Sequence, residues 1–234
     1  MQRKERGPAP NDDVLFGAAA VPYLREAVED LSWLLSRDYP VEASLKVVGD
    51  RYRLTARQRK AVQRCSCSDA CRAGRVSRRV RVEALAGADL SIDGFNCIIV
   101  TESVLSGAPV FRGRDGALRD LAGVHGTWHQ LGVTDASLRA LTQILIEARA
   151  GSVRWLLDRP VSNSGRLREL LLLLGRDEGI EWTVEIVDDP DRVLLACGGV
   201  VATADARILD GCARWVDLPA EVAEGALFPA WVVG

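Results

Sequence analysis

From Leu90 onward, the sequence alternates between short apolar runs and stretches with helical periodicity. The strand-like runs lie at residues 89–92, 153–157, 182–187, 199–203 and 215–218. Apolar residues recur every three or four positions in helices predicted from residue 134 or 135, after Pro160, and over residues 206–212. Strands that alternate with helices indicate βα units, so we predict an α/β domain with a mostly parallel sheet flanked by helices.

Three of the apolar runs lead to an aspartate: Asp93, Asp158 and Asp205. The carboxyl ends of neighbouring parallel strands meet at one crevice, where ligands bind. Three carboxylates brought together there would repel one another unless a cation or a proton lay between them. The pattern predicts a divalent-metal site that acts on phosphate. The alternative is that each aspartate caps the helix or turn that follows its strand.

The first third of the chain has a different pattern, typical of short helices. Apolar residues over 24–35 follow helical spacing behind Pro22, and a second helix is predicted to end at Gly49. Thr55 and Gln58 form a capping-box pattern that begins a third helix. We therefore divide the chain into a disordered tail (1–12), a helical basic module (13–84) and an α/β domain (85–234).

The charge of the chain is unevenly distributed. Residues 51–81 contain eleven Lys or Arg and one acid, Asp69, which gives this segment +10; since the net charge is −2, the rest carries −12. A basic segment rich in arginine favours phosphate recognition, which predicts a nucleic acid as partner. We expect RNA, although the arginines themselves do not distinguish RNA from DNA. The alternative is a solvated connector between two domains.

A loop between a predicted strand and helix has the composition of a phosphate-binding site. Helix N-termini present free backbone N–H groups to anions. The loop contains three polar side chains that would add to such a site, Ser162, Asn163 and Ser164. Two arginines, Arg159 and Arg166, could clamp a phosphate. The same side chains could simply cap the helix. Asn96, three residues after Asp93, is a further candidate for binding the substrate.

Cys65, Cys67 and Cys71 raise the question of a zinc site. A structural Zn²⁺ site needs four nitrogen or sulfur ligands, and this spacing lacks the usual CxxC pair. We favour free thiols, and we expect the surrounding arginines to make these thiols more acidic.

No apolar run approaches the ~18–20 residues of a membrane span, and the polar N-terminus lacks the apolar core of a signal peptide. The expected location is the cytoplasm, without membrane partners. A homodimer is compatible with the sequence.

Several motifs resemble known families. Asp93-Gly-Phe-Asn96, the run ending at Asp158 and Ala202-Thr-Ala-Asp205 resemble strand-end motifs of PIN-like and NYN nucleases. Over residues 20–220, the chain is also similar to an uncharacterised prokaryotic family, domain of unknown function 434. The motifs that carry this second similarity are Leu31-Ser-Trp-Leu-Leu, Tyr39-Pro40, Val48-Gly-Asp-Arg-Tyr52, Asp93-Gly-Phe-Asn96, Leu118-Arg-Asp120 and Pro160-Val-Ser-Asn-Ser-Gly165.

The nuclease resemblance implies a PIN-like fold and hydrolysis of phosphodiester bonds with Mg²⁺ or Mn²⁺. It implies that Asp93, Asp158 and Asp205 bind the metal and that Asp120 supplies a fourth catalytic acid, as a ligand or a base. The alternative for Asp120 is a structural pair with Arg119 or with an arginine elsewhere. Glu102 is a weaker candidate for an acid that such enzymes carry on a helix, because the apolar run over residues 97–100 can also be interpreted as a strand. An alternative is a nucleic-acid-binding protein on the same fold without catalysis. A phosphatase or nucleotide-binding enzyme is a third possibility, although no P-loop supports it.

Overall fold

The computed structural model describes residues 7–122 and 127–225. Its first part is helical and consists of α1 (Asp12–Phe16), α2 (Val21–Leu35), α3 (Val41–Arg51), α4 (Ala56–Cys65), α5 (Asp69–Arg78) and a 3-10 helix (Val82–Leu85). The predicted positions of Pro22, in the first turn of α2, and of the capping box are confirmed. In the capping box, the Thr55 side chain accepts from the Gln58 backbone, and the Gln58 side chain accepts from the Thr55 backbone.

The predicted end of the second helix at Gly49 is wrong, because α3 continues to Arg51. A glycine stands at this position for a different reason. A Cβ atom there would lie 2.2 Å from Nη1 of Arg59, whose guanidinium group lies across α3 and binds Asp50. Gly49 therefore leaves room for the guanidinium group of Arg59 against α3.

Residues 1–6 of the predicted tail lie outside the described residues. At the other end of that segment, Asp12 is buried, begins α1 and binds Arg57 through two hydrogen bonds of 2.6 and 2.8 Å.

The second part of the chain alternates between strands and helices. Its elements are β1 (Leu90–Asp93), α6 (Gly94–Leu105), β2 (Val110–Arg112), β3 (Leu118–Asp120), α7 (Thr134–Glu147), β4 (Val153–Asp158), α8 (Ser164–Asp177), β5 (Trp182–Val187), α9 (Pro190–Leu195), β6 (Val200–Ala202), α10 (Ala206–Gly211), β7 (Arg214–Val216) and α11 (Leu218–Gly225).

Five strands form one parallel sheet in the order β5-β4-β1-β6-β7, and β2 and β3 form a separate antiparallel hairpin. The predicted α/β class, with a mostly parallel sheet flanked by helices and a helical N-terminal part, is confirmed. The central strand β1 pairs with β4 on one side and with β6 on the other. The strand order reverses at β1, which is where open α/β sheets bind ligands.

The interpretation of residues 97–100 as a strand is wrong, because they lie in the middle of α6. This helix is buried on nearly all sides, so its apolar residues show no helical periodicity. Its hydroxyl side chains bond within the helix, as Thr101 Oγ1 donates to the carbonyl of Cys97 at 2.8 Å.

The helical part and the α/β part share a hydrophobic core. Phe111 of β2 and Leu121 pack among the buried residues of α2 and α4, and the Phe111 ring lies 4.9 Å from that of Phe16. The β2–β3 hairpin thus joins the two parts, and the division near residue 84 stays a prediction.

Candidate functional site

The three strand-end aspartates lie at the carboxyl edge of the sheet. Asp93 ends β1, Asp158 ends the neighbouring β4, and Asp205 follows β6 on the other side of β1. The parallel register pairs Asp93 with Leu156, two residues before Asp158. The topology therefore places all three carboxylates around the point where the strand order reverses.

Asp93 occupies the most buried position of the three and accepts a 2.8 Å hydrogen bond from Thr203 Oγ1. Burial raises the pKa of its carboxyl to about 7, and the negative charges of Asp205 and Asp158 add to this rise. The hydrogen bond from Thr203 opposes it. A cation that binds beside Asp93 would stabilise the charged form of its carboxylate.

Asn96 and Thr203 hold the loop that carries Asp205. Asn96 Oδ1 accepts from the backbone N–H of Ala204 at 2.8 Å, and Thr203 Oγ1 accepts from that of Asp205 at 3.0 Å. Asp205 also caps α10, because its Oδ1 accepts from the backbone N–H groups of Arg207 and Ile208. Asp93 makes no side-chain capping bond of this kind with α6, although the backbone N–H of Asn96 in the first turn of α6 lowers its pKa. Capping thus accounts for Asp205 and only in part for Asp93.

The charges around Asp158 include two aspartates that the sequence analysis did not single out. Burial raises the pKa of Asp158, and the charges of Asp191 and Asp189 raise it further. Burial and then the charge of Asp205 raise the pKa of Asp191. Asp189 and Asp191 flank Pro190 just after β5, so a fourth strand end contributes to the negative field. The sequence signal that could have found them is this Asp-rich strand end.

Asp120 lies at the end of β3 and is 4% exposed. Its Oδ1 binds Arg64 Nη1 at 3.0 Å, and Ser103 Oγ approaches its Oδ2 at 3.5 Å. Asp120 therefore forms a carboxylate–arginine pair, and it lines the same cavity as Asp93 and Asp158. Glu102 lies apart from this pair: it is fully buried and accepts a hydrogen bond from Thr134 Oγ1.

A groove connects the acids to the helical part. It consists of two adjoining cavities of about 200 and 430 Å³ that share Arg64, Asn96 and Asp120. The smaller cavity is also lined by Asp93 and Asp158. The larger is lined on the α4 side by Lys60 and Gln63 and on the other side by Asp205. One continuous surface therefore carries carboxylates at one end and cationic side chains beside them.

The donor chemistry of this groove fits Mg²⁺ or Mn²⁺, which prefer oxygen ligands. No three His, Cys, Asp or Glu side chains in residues 7–122 and 127–225 are grouped closely enough to enclose a metal ion. Mg²⁺ nevertheless keeps several waters and often uses only one or two carboxylates. Asp93, with the charges of Asp158 and Asp205 acting on it, supplies the carboxylate that would hold such a cation.

Two families match the chain. One, described as "Domain of unknown function (DUF5616)", matches residues 82–221, more than half of the chain. The chain belongs to this family. A second family, "Protein of unknown function (DUF434)", matches residues 23–78. The predicted membership in an uncharacterised family is confirmed, although the C-terminal part is matched by DUF5616 and not by DUF434.

An uncharacterized protein of Methanocaldococcus jannaschii is 29% identical to this chain over 205 residues, which cover 86% of this chain and 97% of that protein. No solved structure matches the chain. The DUF5616 region contains all of the strand-end acids, and the DUF434 region contains most of the basic segment.

Many cations of the basic segment are engaged within the molecule. Arg57 binds Asp12, Arg59 binds Asp50, and Arg75 binds Asp115 and Asp210. Lys60 and Arg64 donate to the carbonyls of residues 120–122, which anchors β3 against α4. The segment therefore holds the DUF434 and DUF5616 regions together. Fewer of its cations face the groove than the charge of +10 led us to expect.

The side chains proposed as a phosphate site also have partners within the chain. Arg159 Nε binds Asp188 at 2.7 Å, and Arg166 Nη2 binds Gln130 at 3.0 Å. Asn163 adopts a positive φ of 71° and donates to the carbonyl of Trp128, and Ser164 Oγ donates to the carbonyls of Asp158 and Val161. Ser162 is exposed. Asn163 makes no side-chain capping bond, so the capping alternative is not realised at that residue either.

The expectation that arginines acidify the cysteines is wrong for two of the three. Burial raises the pKa of Cys65 to about 12 and that of Cys67 to about 11, and this effect exceeds that of the nearby arginines. All six cysteines are free thiols, and Cys65 packs in the core of the helical part. The described residues contain no grouped set of ligands for the zinc alternative that these cysteines raised.

Among the described residues, no helix has the length and apolar character that would let it cross a membrane.

Proposed function

We propose that the protein is a nuclease that depends on Mg²⁺ or Mn²⁺ and hydrolyses phosphodiester bonds, with RNA as its substrate. The observation that supports this proposal best is the position of Asp93. It is a buried carboxylate at the reversal point of the sheet, where the charges of Asp205 and Asp158 act on it, and the same groove continues to Lys60 and Arg64. A metal site beside a phosphate-binding wall is what phosphodiester hydrolysis needs. We also propose that the α/β part is PIN-like, because its acids follow the strands in the order of that resemblance.

The residues of the groove have distinct roles in this proposal. Asp93 would hold the cation, and Thr203 orients its carboxylate. Asp158 and Asp205 would contribute further negative charge that attracts the cation. When bound, the metal would supply an activated water and neutralise charge on the phosphate oxygens.

Lys60 is the proposed contact to the phosphate of the substrate. Its ammonium group donates to the carbonyl of Leu121 at 2.9 Å and keeps two further N–H groups for a ligand. Burial lowers its pKa, and the neighbouring charge of Arg64 lowers it further. An anion placed here would relieve the repulsion between these two cations.

A cleavage assay tests the proposal. Labelled single-stranded RNA, and DNA of the same sequence, are incubated with Mn²⁺ and the wild-type chain, the Asp93→Asn variant or the control variant Asp50→Asn, whose carboxylate lies in an exposed pair with Arg59. We expect cleavage by the wild type and the control, with RNA preferred, and a loss of about 100-fold or more in Asp93→Asn. Equal cleavage by the wild type and Asp93→Asn would refute the proposal.

The second candidate is a nucleic-acid-binding protein without catalysis. Lys60 and Arg64 along the groove support this candidate, because cationic side chains can bind phosphate groups without a metal. RNA binding that is weakened by Lys60→Ala, unaffected by Mn²⁺ and not followed by cleavage would support this candidate instead.

A further inference from the structure

Arg119 connects the β2–β3 hairpin to the loop that carries Asp205. It is 7% exposed, and its Nε donates a 2.8 Å hydrogen bond to the carbonyl of Ala204. Its Nη1 and Nη2 bind the two carboxylate oxygens of Asp115 at 2.9 and 2.7 Å. The planar guanidinium group thus binds a backbone carbonyl and both oxygens of a carboxylate at once, whereas a lysine ammonium group lacks the rigid fork that pairs with both carboxylate oxygens.

The same aspartate is bound by the helical part of the chain. Arg75 of α5 donates to Asp115 through Nη1 at 2.8 Å and to Asp210 of α10 through Nε and Nη2, both at 2.7 Å. A buried charge network therefore runs from α5 through Asp115 to Arg119. It ends at the backbone of the acidic loop.

Ala204, at the end of this network, is fixed on both sides. Its N–H donates to Asn96 Oδ1 at 2.8 Å, and its carbonyl accepts from Arg119. The residues on either side of it are Thr203, which binds Asp93, and Asp205. A shift of Ala204 would move both of these side chains relative to Asp93.

We infer that Arg119 is a positioning residue of the acidic site, and that the helical part sets the geometry of the Thr203–Asp205 loop through Arg75, Asp115 and Arg119. The effect of Arg119 on catalysis rests on the proposed function, whereas its effect on the position of the Thr203–Asp205 loop does not. Arg75 already joins α5 to α10 through Asp210, so the bond from Arg119 to Ala204 is not needed to hold the two parts together.

The test compares Arg119→Lys with Arg154→Lys. Arg154 also forms a two-bond pair with a carboxylate, Glu185, at 2.8 Å, but it lies near the start of β4, at the other end of the strand from Asp158. Asp115 keeps Arg75 in the Arg119→Lys variant, so the buried carboxylate retains a partner. Backbone hydrogen exchange of residues 203–208 is measured in both variants and in the wild type, with residues 155–157 of β4 as an internal reference.

We expect exchange over residues 203–208 to accelerate about tenfold in Arg119→Lys and to stay unchanged in Arg154→Lys, with the β4 reference unaffected in both. In the cleavage assay, kcat should fall about tenfold in Arg119→Lys while KM stays within about twofold. Addition of guanidinium to Arg119→Ala should restore part of the exchange protection.

Unchanged exchange over residues 203–208 in folded Arg119→Lys would overturn the inference. A uniform acceleration over the whole chain would overturn it as well, because that result indicates only a general structural role. Accelerated local exchange, in a protein whose wild type cleaves neither RNA nor DNA, would support the positioning role and refute the nuclease proposal.

Discussion

The hydroxyl of Thr203 donates a 2.8 Å hydrogen bond to Oδ2 of Asp93, although 110 residues separate the two in the sequence. The same hydroxyl oxygen accepts from the backbone N–H of Asp205 at 3.0 Å. One small side chain therefore links two of the strand-end acids across the centre of the sheet. It also opposes the rise in the pKa of Asp93 that burial produces.

The first prediction concerns this hydroxyl. In Thr203→Val, Asp93 loses the bond that favours its charged form, so we expect its pKa to rise above about 7 and its affinity for a cation to fall. A hydrogen bond to a charged group contributes about 1.5–3 kcal/mol, which corresponds to a decrease in cleavage of at least about tenfold at pH 7. The decrease should be smaller at pH 9. Thr203→Ser keeps the hydroxyl and should stay within about threefold of the wild type. If the valine and serine variants have the same pH profile, this role of the hydroxyl is wrong.

Much of the fold could be predicted from local patterns. Apolar spacing and helix caps are properties of neighbouring residues. For this reason the sequence predicts the strands around Ile92, Trp155 and Val184 and the capping box at Thr55. The helix α6 could not be predicted from such a pattern, because a fully buried helix has no polar face. The prediction that a helix ends at Gly49 was wrong because the contact with Arg59, which explains the glycine, is a tertiary contact that the local sequence does not reveal.

The candidate site could be predicted only in part, for the same reason. Asp93, Asp158 and Asp205 stood out because each follows an apolar run. Asp191 also comes shortly after an apolar run, that of β5, but it lies beyond Pro190 in the first turn of α9, and its charge effects on Asp158 and from Asp205 are visible only in the structure. The arginines looked like a free basic surface, since nothing near Arg75 in the sequence indicates that its partner is Asp210, 135 residues away.

The second prediction concerns stability and pH. The pKa of Asp93 is raised to about 7 in the folded protein, whereas an unfolded chain has an aspartate pKa of about 3.9. Between these values the folded state binds a proton that the unfolded state lacks, so the free energy of unfolding should fall as pH rises from about 4 to about 7. Mn²⁺ should oppose this fall, because it binds the charged carboxylate of the folded state.

Denaturant unfolding between pH 4.5 and 8 measures this effect, with EDTA or with Mn²⁺. The comparison is with Asp93→Asn, which should show a shallower pH dependence and no stabilisation by Mn²⁺. Asp217 is a second buried carboxyl with a pKa of about 6, so the difference between the wild type and the variant is the informative quantity. Identical pH dependence in the two proteins would contradict the assignment of the raised pKa to Asp93.

The third prediction concerns Asp191. Its side chain is partly exposed and acts on Asp158 and Asp205 through charge, so Asp191→Asn should weaken metal binding without abolishing cleavage. Exposed charge interactions contribute up to about 1 kcal/mol, which predicts an increase of at most about fivefold in the Mn²⁺ concentration for half-maximal activity. Asp188→Asn, in the same loop but paired with exposed Arg159, is the matched control and should leave this concentration unchanged. Complete inactivity of Asp191→Asn at saturating Mn²⁺ would instead make Asp191 a direct ligand.

The fourth prediction concerns the buried network. Arg75 is 5% exposed and binds Asp115 and Asp210, so Arg75→Met removes a cation that neutralises the charge of both carboxylates. Removing one partner of a buried ion pair costs about 3–5 kcal/mol, and we expect the low end because Asp115 keeps Arg119. Arg81→Met, which breaks an exposed pair with Glu83 in the same basic segment, should cost less than about 1 kcal/mol. Urea unfolding at pH 7 measures both variants.

The stability cost of Arg75→Met should also depend on pH. Burial alone would raise the pKa of Asp115, but the hydrogen bonds and charges of Arg119 and Arg75 outweigh it and lower the pKa to about 2. A carboxyl with a lowered pKa stabilises the fold above about pH 4, and this contribution is lost as pH falls toward 2. Since Arg75→Met removes one of the two cations, the difference between wild type and variant should shrink between pH 7 and pH 3. A difference that is the same at both pH values would show that Arg75 stabilises the protein by packing and not through its pair with Asp115.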